Sequence, residues 1–73
     1  MGVASKLGQL LPHWIEHNES HIEQLRDWQE QARAADLGEV ADSIGAAAEA
    51  IAQANEELKR AGKMLPESGR HEH

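Results

Sequence analysis

Ala32-Arg33-Ala34-Ala35-Asp36-Leu37-Gly38-Glu39-Val40-Ala41-Asp42-Ser43-Ile44 joins two stretches whose apolar residues recur in alternating steps of three and four. Such steps keep a stripe on one side of an α-helix. Gly38 stands between the two runs, and a glycine just past a helix end accepts the left-handed conformation that stops a helix. The turn is therefore expected at Gly38. Downstream of it the stripe reads Leu37, Ala41, Ile44, Ala48, Ile51, Asn55, Leu58, Gly62 and Leu65. Upstream it reads Ala35, Ala32, Trp28, Leu25, His21, Asn18, Trp14 and Leu11, and Pro12 suits the first turn of a helix, where its missing N–H costs nothing. The expected fold is all-α, an antiparallel helical hairpin over residues 12–65.

Closing that hairpin about Gly38 sets Trp14 opposite Gly62, Trp28 opposite Ala48, His21 opposite Asn55 and Asn18 opposite Leu58. Each indole meets a small residue, as volume matching in a packed interior requires. Asn55 is then placed to fix one ring nitrogen of His21 and leave the other for a proton or a metal. Residues 1–11, with Val3, Leu7 and Leu10 at helical spacing after Ser5, are read as an N-terminal segment or short helix. Residues 66–73 are polar, end in His71 and His73, and are expected to be a disordered tail.

With 73 residues, twelve of them Ala, and Trp14 and Trp28 as the only aromatics, the chain has a thin core. Two helices leave a face uncovered, for which Ile15, Ile22 and Val40 are the expected residues. Homodimerisation into a four-helix bundle, or docking onto a larger protein partner, would cover it. The formal charge of −6 argues against nucleic acid and anionic membrane as partners, while an acidic surface suits a cation. No apolar run reaches the length of a membrane helix, and the first eleven residues lack the pattern of a secretory leader. A cytoplasmic protein is the expectation.

Chemistry concentrates in His13-Trp14-Ile15-Glu16-His17-Asn18-Glu19-Ser20-His21. A step of four residues turns the side chain by about 40° and climbs about 6 Å, so His13, His17 and His21 form one imidazole stripe. His17 with His21, or His13 with His17, can chelate one transition-metal ion, with Glu16 assisting. The outer two lie about 12 Å apart on an ideal helix and cannot share an ion. Nitrogen and oxygen donors without any cysteine favour Ni²⁺ or Zn²⁺ over Cu(I) or an iron–sulfur cluster.

Catalysis is not expected. The stretch from His13 to His17 matches the H-x-x-E-H pattern of inverted zinc peptidases, but two helices offer neither a third ligand nor a substrate cleft. Di-iron sites need Glu-x-x-His pairs, and Trp14 and Asn18 stand where those glutamates would be. No phosphate loop, serine elbow or cysteine nucleophile occurs.

The segment Leu10 to Trp28, through Leu-Leu-Pro-His-Trp-Ile-Glu-His-Asn-Glu-Ser-His with the later Leu25 and Trp28, resembles a small histidine-bearing helical domain associated with prokaryotic nickel-binding proteins. Some of those are linked to nickel delivery for carbon monoxide dehydrogenase. The resemblance implies that His13, His17 and His21 correspond to the family's histidines and that nickel is the metal. Two functions are thus expected in competition. One is a non-catalytic module that handles, stores or senses nickel or zinc. Its rival is an oligomeric interaction module whose histidines are incidental or respond to pH.

Overall fold

The computed structural model describes residues 2–66, and they form two antiparallel helices, α1 (Val3–Ala34) and α2 (Gly38–Lys63). No strand occurs among the described residues. The hairpin is a rod of 52 × 16 × 15 Å. The tail expected over 66–73, with His71 and His73, lies outside the described residues apart from Pro66.

Helix α1 starts at Val3 rather than Pro12 and continues through Pro12 without a break. The expected short leading helix and helix one are therefore one element of 32 residues. Pro12 removes one main-chain hydrogen bond and crowds the carbonyl four residues earlier. What offsets this is packing on the same turn: Leu11 is buried beside Gly62, with Leu7, Leu10 and Ile15 half-buried around it. Pro12 itself is exposed.

The turn falls earlier than expected, and a different residue makes it. Asp36 takes the left-handed conformation, with φ 68°, while Gly38 is already the first residue of α2. The Leu37 N–H donates to the Ala32 carbonyl (2.9 Å) and the Asp36 N–H to the Arg33 carbonyl (3.1 Å). These are the two bonds of a Schellman cap, here built on Asp where Gly is usual.

The seam between the helices is also rotated from the expected one. On α1 it runs through Leu11, Ile15, Asn18, Ile22, Leu25, Gln29 and Ala32, all buried or half-buried. Ile15, Ile22 and Gln29 thus take the places expected of Trp14, His21 and Trp28, and Ile15 and Ile22 do not form the uncovered face. Both stripes share Leu11, Asn18, Leu25 and Ala32, so spacing fits either. The floor of the seam decides between them. Ala41, Gly45, Ala48 and Asn55 are the buried residues of α2, and a Cβ added to Gly45 would land on the Gln29 carboxamide. Helices that approach so closely leave no depth for an indole. Trp14 and Trp28 stay 40% and 60% exposed on the flank.

Register shifts with the rotation. Asn55 bonds to Asn18 rather than facing His21, and Gly62 meets Leu11 rather than Trp14. The Asn18 amide donates to Asn55 Oδ1 (2.9 Å), and the Asn55 amide donates to the Ile15 carbonyl (3.0 Å). Asn55 is 4% exposed and fully partnered, so it forms a polar layer across an otherwise apolar contact.

The two flanks of the rod differ in chemistry. Arg26 pairs with Glu49 (3.2 Å) and Arg33 with Asp42 (3.0 Å), which places a charged flank on one side of the seam. Two residues further along a helix point about 200° away, so Trp28, Ile51 and Ile44 occupy the opposite flank. On that flank α1 presents Leu7, Leu10, Trp14, His17, His21, Gln24, Trp28, Gln31 and Ala35. Beside it α2 presents Leu37, Val40, Ile44, Ala47, Ile51, Ala54, Leu58, Ala61 and Leu65. None of these is Asp, Glu, Lys or Arg, although such residues make up 27% of the chain.

Candidate metal centre

The middle turns of α1 hold the histidines at a fixed spacing, and two of them meet. Nε2 of His17 lies 3.1 Å from Nε2 of His21, with ring centroids 4.6 Å apart and planes nearly perpendicular at 86°. Without a metal this is a hydrogen bond in which one ring donates and the other accepts. With Zn–N or similar bonds of about 2.05 Å, two nitrogens at that separation subtend about 98° at the ion, between the octahedral and tetrahedral angles. Both side chains are exposed, so an ion can reach them.

Trp14 belongs to the same patch, since residues three and seven apart on a helix share a surface. The expected partner of His21, Asn55, is instead committed to Asn18 and Ile15 inside the seam. What orients His21 is therefore His17.

His13 and Glu16 are not gathered with that pair. They line an open groove of about 880 Å³ with Leu11, Ile15, Glu19, Leu58, Lys59 and Lys63. Among the described residues no group of three or more His, Asp or Glu side chains is arranged to hold an ion. Among the described residues the hairpin thus gathers two imidazoles, one face of a coordination sphere.

The uncharged flank around this pair is what sequence reading missed. Its signal is present in α2, where Leu37, Val40, Ile44, Ala47, Ile51, Ala54, Leu58, Ala61 and Leu65 form a second apolar stripe beside the small residues of the seam. Two stripes on one helix mean two contacts, and the hairpin satisfies one.

Fold and site define a small all-helical domain, a two-helix hairpin with an imidazole pair on its uncharged flank. By sequence the chain belongs to a family described as a domain of unknown function (DUF8180), whose model matches residues 7–65. The match takes in the whole of α2 and α1 from Leu7 onward. No curated protein and no solved structure matches the chain. The family description names no metal, activity or partner. No helix among the described residues is long and apolar enough to cross a membrane.

Proposed function

We propose that this hairpin is a non-catalytic cytoplasmic module that binds nickel or zinc through His17 and His21, for handling, storing or sensing the ion, and that it works as a homodimeric four-helix bundle. The observation that carries the reading is the 3.1 Å approach of the two Nε2 atoms on consecutive turns. A pair preset at a chelating distance loses little freedom when the ion arrives. The acidic chain, with formal charge −6, favours approach of a divalent cation. The likeness of the Leu10 to Trp28 segment to a histidine-bearing helical domain associated with nickel-binding proteins makes nickel the first ion to test. His13 and Glu16, set apart from the pair, have at most an outer role.

The test is calorimetric titration of Ni²⁺ and Zn²⁺ into chelator-stripped protein ending at Pro66, beside the His17→Ala/His21→Ala double variant and His13→Ala. Micromolar or tighter binding by the parent and by His13→Ala, abolished in the double variant with helicity retained, is the expected result. Equal affinity in parent and double variant would refute the assignment. A second reading, a protein-interaction module with incidental histidines, draws on the uncharged flank. It predicts assembly that is indifferent to metal and unchanged in the double variant.

A further inference from the structure

The uncharged flank is self-complementary, and this says what covers it. On α1, Trp14 and Trp28 each stand seven residues from His21; on α2, Ile44 and Leu58 each stand seven residues from Ile51. The two centres lie at nearly the same height along the rod, because Asn18 meets Asn55 and Arg26 meets Glu49 across the seam. A two-fold axis in the plane of the flank, across the rod at that height, exchanges Trp14 with Trp28 and Ile44 with Leu58. It returns His21 and Ile51 to themselves. An isologous contact has this property: residue i meets j and j meets i.

Size and charge agree with a second copy as the occupant. The 26 residues of α2, at about 1.5 Å each, make a face about 39 Å long, and the rod is 16 Å wide, giving about 600 Å² in projection, the order of the roughly 800 Å² that each partner of a stable interface buries. Two copies each carrying −6 repel, yet the ionised side chains stand off this flank, so close approach buries none of them. The half-buried Ile44, Ile51 and Leu58 and the exposed Trp14 and Trp28 supply the apolar contact that the thin seam lacks.

We propose that a second copy of this chain packs on the Trp14–His21–Trp28 and Ile44–Ile51–Leu58 flank about that two-fold axis, and that its His21 adds a third imidazole to the metal site begun by His17 and His21. The second half rests on the metal reading above. Among the described residues one chain brings two imidazole nitrogens together, whereas zinc and nickel take four or more ligands. The axis passes at His21, so the second copy's His21 faces the His17–His21 pair and offers it a third imidazole, while that copy's His17 stands about 12 Å along the rod from this copy's His17 and does not reach the same ion. The site is then incomplete without the partner copy, and metal binding and dimerisation reinforce each other.

Sedimentation equilibrium in EDTA tests the dimer without reference to metal. The parent chain is expected at twice its monomer mass at micromolar concentration, and Ile51→Glu at the monomer mass. A monomeric parent overturns the dimer, and an undiminished Ile51→Glu dimer overturns the chosen face. Should Ile51→Glu lose its helicity, cysteine trapping replaces it, since the chain has no cysteine of its own. His21→Cys, on the axis, should oxidise to a linked dimer in high yield, and Glu19→Cys, on the opposite side, should not. The reverse pattern refutes the interface. For the shared site, the monomeric variant should bind Ni²⁺ at least about tenfold more weakly than the parent, and equal affinity overturns completion by the second copy. A parent that dimerises in EDTA but binds no Ni²⁺ refutes the metal reading and leaves the interface standing.

Discussion

Asp36 holds a left-handed backbone, φ 68°, at the one position where the hairpin reverses. A side chain there costs about 1 kcal/mol that glycine does not. Asp36→Gly is therefore expected to raise the melting temperature by a few degrees while leaving both helices in place; an unchanged or lower value in a thermal melt would show that the Asp side chain contributes to the turn. Asn55 behaves in the opposite sense. Its amide joins Asn18 to the Ile15 carbonyl inside the seam. Asn55→Ala leaves both partners short and should cost about 1–2 kcal/mol in urea unfolding. The exposed Arg26–Glu49 pair is worth far less, and Glu49→Gln should change stability by under about 0.5 kcal/mol.

Within each element, periodicity was legible and its phase was not. The steps of three and four along α1 identify a helix from the sequence alone, yet two stripes through Leu11, Asn18, Leu25 and Ala32 satisfy them. Choosing between Trp14 and Ile15, or Trp28 and Gln29, requires knowing how close the second helix comes. That distance is set by Gly45 and Ala48 on α2, a property of the pair rather than of either helix. Pro12 misled for a related reason. Local chemistry favours a helix start there, and the packing of Leu11 against Gly62 overrides it. The helix therefore carries a proline at a cost that substitution should recover. Pro12→Ala is expected to stabilise the hairpin by about 1–3 kcal/mol, measured by urea unfolding. No gain would mean that α1 begins at Pro12 after all.

At the scale of the whole molecule, the hairpin and its antiparallel order followed from the breakers between two apolar runs. The histidine pair followed from its spacing. What spacing could not supply was the separation of His13 and Glu16 from that pair, or the gathering of uncharged residues from both helices on one flank. These depend on how the seam is rotated, which places the Arg26–Glu49 and Arg33–Asp42 pairs on one side and the imidazoles on the other.

The most direct test of the two-imidazole site is a zinc titration followed by the ring-nitrogen resonances of each histidine. His17 and His21 are expected to shift together to a common end point at low micromolar zinc, while His13, His71 and His73 stay in place. Movement of His13 or of the terminal histidines ahead of that pair, or no change in His17 and His21 below millimolar zinc, would contradict the two-imidazole site.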